Sequence, residues 1–262
     1  MKFGVCAGID QAALLADAGY DYIELSVAGD LVPEADEATW AEKRAAIEAM
    51  PLPVEAFNSF VRTGKITGPE ADFERLKRYA DTAVERAAQV GGKIIVFGSG
   101  GARNVPAGFP REQAAEQIVS FLDLCADACD RHGVVVVVEP LNSDESNIIN
   151  SVAEGAEYVE RVARAGIRNL ADTYHMEYDG EPLLAITEFA EVLAHVHTAD
   201  TGRFAPGTGT YDHIALFREL RAARYDDRLS IECSFRDFAA EIGPALAHLK
   251  RAHGEANAPR RP

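Results

Sequence analysis

The sequence predicts a single α/β domain, a (β/α)8 TIM barrel, and three observations carry that reading. Short apolar or β-branched runs alternate with longer helical patterns along the chain, giving eight strand–helix units without a break in composition. The length, 262 residues, suits one such barrel. The first strand–helix turn, CAGIDQA, lacks the GxGxxG pattern expected of the main rival, a doubly wound open sheet.

Phe3–Cys6 is the first predicted strand, and the helix predicted over Gln11–Ala18 has Gly19 as its cap. Tyr22–Ser26 reads as strand two and Glu37–Met50, with the only tryptophan, Trp40, as a helix. Pro53–Phe60 alternates as strand three. Asp72–Gln89 is an amphipathic helix with Asp72 at its start and Gly91-Gly92 past its end. Lys93–Phe97 is strand four, and Arg111–His132 is a long helix. Strand five lies in GVVVVVEPLN, Gly133–Asn142, where five valines form the signature of a strand buried on both faces. Ser151 opens a helix to about Arg164, with Glu154 completing a capping-box pattern. Strand six (Ile167–Asp172), a helix (Leu183–Ala190), strand seven (His195–Asp200) and a helix (Asp212–Arg224) follow. Strand eight (Leu229–Phe235) and a helix (Phe238–His253) close the pattern. The barrel is expected over residues 1–254, with 255–262 as a flexible C-terminal tail. The longest loops, Val61–Ala71 and Gly98–Pro110, follow strands three and four and are lid candidates.

A net charge of −16 argues against nucleic acid as a partner, because such a surface repels a phosphate backbone. The four cysteines form no CxxC pair and read as buried thiols of a reducing compartment. The N-terminus enters a strand directly, and no apolar run is long enough to span a membrane, so a soluble, cytoplasmic protein is expected.

Strand ends carry the chemistry. Residues two apart on a strand share a face. Val135, Val137 and Glu139 therefore point together, as do Leu170 with Asp172, His195 with His197, and Ser230 with Glu232. If that face is the interior, Glu139, Asp172, His197 and Glu232 converge at the C-terminal mouth. Two like charges about 4 Å apart repel by roughly 4 kcal/mol at an effective dielectric near 20, so three carboxylates need protons or a cation between them. Three carboxylates and an imidazole suit Mn²⁺ or Mg²⁺, with Co²⁺, Fe²⁺ or Zn²⁺ able to compete. His195, one step deeper, is expected to be structural. His132, His248 and His253 are expected at the surface, and Glu24 either binds substrate or pairs within the barrel.

EPLN with the following Glu145, DTYH (Asp172–His175), HVHTADTGRFAPGTG (His195–Gly209) and IECSF (Ile231–Phe235) together resemble the xylose-isomerase-like barrel superfamily. The nearest branch is that of D-tagatose 3-epimerase and the sugar phosphate isomerases/epimerases. The resemblance covers nearly the whole chain. It implies Glu139, Asp172, His197 and Glu232 as metal ligands, with Mn²⁺ favoured, and Glu139 and Glu232 as the catalytic acid/base pair. It implies substrate-binding roles for Glu145, His175 and Arg203, and a structural turn at Pro206, Gly207 and Gly209. Ser143 stands where many members carry an arginine, which leaves the sugar open.

The implied reaction is glutamate-mediated proton transfer through an enediolate of a ketose or other α-hydroxy ketone, giving epimerisation or aldose–ketose isomerisation. Inosose or hydroxypyruvate isomerisation, or dehydration on the same barrel, is the alternative. A non-catalytic metal- and sugar-binding partner protein is the alternative of another class. An abasic-site endonuclease on this barrel would want more histidines and a basic face. Arg103, Arg236 and Lys65 are candidates to meet a phosphate. The resemblance favours a homodimer or homotetramer.

Overall fold

Five consecutive valines cannot all face one way in an extended chain. The computed structural model, which describes residues 1–258, shows how they are shared. Val135–Val138 form strand β5. Val137 packs inside the barrel with Tyr22, Ala56, Ile94, Val96 and Leu170. Val136 and Val138 face outward into the larger apolar layer beneath the helices. Each fully buried valine contributes about 1.5–3 kcal/mol relative to exposure, so the run anchors both layers.

Eight parallel strands close into a barrel in chain order, and β8 pairs back to β1. They are β1 Lys2–Cys6, β2 Tyr22–Ser26, β3 Val54–Asn58, β4 Ile94–Phe97, β5, β6 Ile167–Asp172, β7 Leu193–Thr198 and β8 Arg228–Ile231. The longer outer helices are α1 Ala12–Ala18, α2 Glu37–Glu48, α3 Phe73–Gln89, α5 Arg111–His132, α6 Val152–Val162, α9 His213–Ala222 and α10 Phe238–Asn257. Their caps match the sequence signals. Gly19 takes the left-handed conformation at φ 88° and closes α1. Asp72 Oδ1 accepts the Arg75 N–H at 3.0 Å. At α6, Ser151 Oγ accepts the Glu154 N–H at 3.1 Å, while Glu154 reaches back to the N–H of Asn150 rather than of Ser151.

Three short helices interrupt the loops: α4 Gly100–Arg103, α7 Thr173–Asp179 and α8 Leu184–Glu188. Neither α4 nor α7 is expected from the sequence, because four and seven residues are too short to show a helical period. Strand β7 begins earlier than expected, at Leu193, and β8 ends earlier, at Ile231. The expected tail is corrected in part. Helix α10 continues through Asn257, with Ala256 buried, and residues 259–262 lie outside the described part of the chain.

Among the described residues, no helix is long and apolar enough to cross a membrane. His248 and His253 are half-buried rather than on the surface. Their rings pack on His213 and on Phe3 and Phe217.

Candidate active site

Strand register sets the floor of the mouth. Asp172 pairs with His197 across β6 and β7, and His197 pairs with Ser230 across β7 and β8. Glu139 is the first residue past β5, held there by its N–H donating to the Phe97 carbonyl at 3.1 Å. The Glu232 N–H donates to the Thr198 carbonyl at 3.0 Å, carrying β8 one step further. Donor atoms of Glu139, Asp172, His197 and Glu232 consequently lie within 4.8 Å of one another. His197 Nδ1 is at the centre: 3.0 Å from Glu139 Oε1, 3.5 Å from Glu232 Oε2 and 4.0 Å from Asp172 Oδ2.

Beneath this group lies a second buried set centred on Glu24, which sequence reasoning left open. Its carboxylate does not face the mouth. Oε1 is 3.0 Å from His197 Nε2, and Oε2 is 3.0 Å from His195 Nε2 and accepts from Ser230 Oγ at 2.6 Å. Tyr22 OH is 2.7 Å from Ser230 Oγ. All of these side chains are fully buried. Glu24 therefore pairs within the barrel, and His195 is a structural histidine that shares its carboxylate.

Charge follows from this packing. Burial alone would raise the Glu24 carboxyl, but the charge of His197 and hydrogen bonds from both histidines outweigh it and hold the group well below the usual carboxylate range. Burial disfavours a charged His197, yet Glu24 and the carboxylates above hold its proton well beyond the ordinary imidazole range. Asp172 is pushed up to about 6, chiefly by burial, with Glu232 and Glu139 adding repulsion that His175 opposes. Burial would raise Glu232 as well. His197 and Arg203 overcome that and bring it down to about 2.

The donor set fits a divalent cation. Asp172 Oδ1 accepts the Tyr174 N–H at 2.8 Å and caps α7, but Oδ2 is buried without a partner. That oxygen faces the other three donors, where a cation would satisfy it. The set is three carboxylates and one imidazole without a thiolate, the chemistry of a hard to intermediate ion.

The residues expected to bind substrate ring this floor. His175, on α7, has Nδ1 accepting the Asn142 backbone N–H at 3.1 Å. In the neutral ring Nε2 then carries the proton, and it is buried without a partner, 3.6 Å from Asp172 Oδ2. Arg203 donates to Glu232 Oε2 at 3.0 Å and to Glu145 Oε1 at 3.1 Å, and lies over the Tyr174 ring. Its loop folds around Asp200, whose carboxylate accepts the backbone N–H groups of Thr201, Gly207 and Tyr211 at 2.7–3.0 Å. The PGxG turn is thus half of an Asp200-centred knot that presents Arg203.

A cavity of about 500 Å³ opens above, lined by Glu139, Glu145, His175, Arg203 and Glu232 on one side. Asn58, Ser59, Val61 and Arg62, at the end of β3 and just after it, and Gly98 to Gly101, just after β4, form the other. Ser99 Oγ accepts the Val61 N–H at 3.0 Å and ties those segments together.

The three phosphate candidates need correction. Arg103 cannot meet a phosphate: it is fully buried and donates to the carbonyls of Phe97, Glu139 and Ile149 at 2.9–3.2 Å. Arg236 lies over the Phe204 ring, and Lys65 donates to the Gly101 carbonyl at 2.7 Å; neither lines the cavity. Ser143 fastens its loop to α7 instead of adding charge, with N–H and Oγ both donating to Asp179 at 2.8 Å.

Residues 12–252 match the family model described as xylose isomerase-like TIM barrel. The chain belongs to this family. The 3-dehydro-D-guloside 4-epimerase of Escherichia coli is 31% identical over 223 residues, 80% of this chain and 83% of that relative. The L-ribulose 3-epimerase of Mesorhizobium japonicum is 34% identical over a shorter segment of 118 residues, 45% of this chain and 38% of the relative. Among solved structures, the apo 3-keto-D-glucoside 4-epimerase of E. coli superposes with a TM-score of 0.82. It is 27% identical and covers 96% of this chain and 99% of its own.

Proposed function

We propose that this barrel is a metal-dependent epimerase of a keto sugar, moving one proton at the carbon beside the carbonyl. Membership of the isomerase class, with a sugar as substrate, follows from the named relatives. A 3-keto glycoside epimerised at C4 is the favoured substrate, because the relatives named for that reaction match over most of the chain. The L-ribulose 3-epimerase of Mesorhizobium japonicum matches over 45% of it.

One observation supports the chemistry above all. Glu139 and Glu232, from different strands, stand 3.0 and 3.5 Å from the same imidazole nitrogen at the floor of one polar cavity. An epimerase that leaves the carbon skeleton intact needs a base on one face of a carbon and an acid on the other. Two carboxylates flanking a bound sugar supply both, and such help gives about 10²–10⁴-fold in rate. Arg203 donates to Glu232 Oε2 at 3.0 Å and favours its ionised form, the state that accepts a proton. Glu139, carrying a proton taken from solvent, then delivers it to the opposite face, and Glu232 releases to solvent the proton it took.

Glu139, Asp172, His197 through Nδ1, and Glu232 would hold the divalent ion, Mn²⁺ by preference. When bound, the ion supplies Lewis-acid stabilisation of negative charge on neighbouring oxygens. His175 offers an Nε2–H donor to a substrate oxygen. Arg203 and Glu145 orient further hydroxyls while Arg203 fixes the Glu232 carboxylate.

The test is a panel of methyl 3-keto-glucoside, free ketohexoses, their phosphates and hydroxypyruvate. Each is incubated with chelator-stripped protein and then with Mn²⁺ restored, with products read by NMR. Mn²⁺-dependent C4 epimerisation of the glycoside is expected. Turnover of ketohexoses alone would move the reading to 3-epimerisation, and full activity after chelation would remove the metal from it.

A further inference from the structure

We propose that Glu24 is a positioning residue that dictates which nitrogen of His197 is offered to the metal. The inference rests on the metal-binding reading above. His197 is fully buried, and both ring nitrogens face carboxylates. A neutral imidazole has a single N–H, so one nitrogen must be the donor and the other the lone pair. Below the ring, Nε2 faces Glu24 Oε1 at 3.0 Å. Glu139 and Glu232 face Nδ1 in the same way, but their oxygens would turn to the ion, whereas Glu24 is held in place and only accepts, so in the loaded site the proton belongs on Nε2. Nδ1 is then left unprotonated toward Glu139, Asp172 and Glu232.

The choice is enforced because Glu24 cannot turn away. Ser230 donates to Oε2 at 2.6 Å, and His195 Nε2 lies 3.0 Å from the same oxygen. Tyr22 OH holds Ser230 Oγ at 2.7 Å, so four side chains on three strands lock one carboxylate. The His195 ring stands edge-on to that of His197 at 5.0 Å between centroids and blocks a ring flip. Such a carboxylate behind a ligating histidine orients the ring and raises its basicity, and losing it costs about 10–100-fold in metal affinity. Glu24→Gln is the sharp variant. The amide fills the same space, but its NH₂ must donate. Only one end of the amide still accepts and the charge is gone; where the NH₂ faces His197, Nε2 must accept and the proton moves to Nδ1, in the way of the ion.

The experiment uses protein labelled with ¹⁵N-histidine, loaded with diamagnetic Zn²⁺, together with calorimetric titration of Zn²⁺ and Mn²⁺. In the wild type, His197 should show Nδ1 bound to the metal and a slowly exchanging proton on Nε2. Glu24→Gln should bind both ions about 10–100-fold more weakly and lose that Nε2 proton signature, with its unfolding midpoint recorded alongside. Metal bound through Nε2 in the wild type would overturn the proposal whether or not the variant folds. So would wild-type affinity in Glu24→Gln, or weaker binding with the Nε2 proton unchanged, which is what a merely structural role gives. If the wild type binds neither ion, the metal-binding reading itself fails and this inference goes with it.

Discussion

The Glu139 carboxylate occupies the space where a β-carbon on Gly98 would stand. One chain segment thus makes room for a candidate metal ligand of the neighbouring strand. The overlap is with the mobile end of a side chain rather than with backbone, so a methyl group there moves Glu139 without breaking the barrel. Gly98 is buried, so Gly98→Ala should cost about 1–3 kcal/mol in stability, the range of a small overpacking, and still fold. It should lose at least about tenfold in metal affinity, the scale of disturbing a ligand's support. Thermal unfolding and metal titration of the same preparation check both halves.

Arg103 gives the converse case. Its guanidinium satisfies carbonyls at the end of β4, just past β5 and in the segment before α6, and burial draws its pKa down to about 10. Removing it strands buried acceptors, each costing about 1–3 kcal/mol. Arg103→Met should therefore lower stability by about 3 kcal/mol or more in denaturant unfolding. It should leave any preference between phosphorylated and free substrates unchanged.

His213 sets a pH dependence outside the set of candidate metal ligands. Burial, with the charge of His248 at 3.2 Å adding to it, presses its pKa down to about 4. The ordinary value in the unfolded chain is about 6.5. Below that pH the unfolded chain takes up a proton that the folded protein refuses until pH 4 or so. Stability is fully present above the unfolded pKa and is lost as pH falls, by about 1.4 kcal/mol per unit and about 3 kcal/mol in all. Denaturant melts at pH 7, 5.5 and 4.5 should show His213→Phe losing less than the wild type over this interval.

How much was legible depended on the length of the signal. Strands announced themselves through β-branched runs, and Glu139, Asp172, His197 and Glu232 through their place at consecutive strand ends. Glu24 was ambiguous because its partners lie more than 170 residues away and meet it only when the barrel closes. Asp172 hid α7, since the same residue ends β6 and caps the helix. Arg103 misled because a cation in a glycine-rich loop reads as exposed, while its three acceptors come from separate segments. Asp200 carried no signal beyond a turn-rich sequence, yet it organises the loop that delivers Arg203.

The central claim is that Glu139 and Glu232 move the proton, and solvent deuterium uptake tests it most directly. With Mn²⁺ and a substrate that turns over, product formed in D₂O by the wild type should carry one deuterium at the inverted carbon. Glu139→Gln and Glu232→Gln, each confirmed as folded and metal-loaded, should exchange at least about 10²-fold more slowly. Wild-type exchange in both variants, or epimer formed without deuterium, would contradict the account.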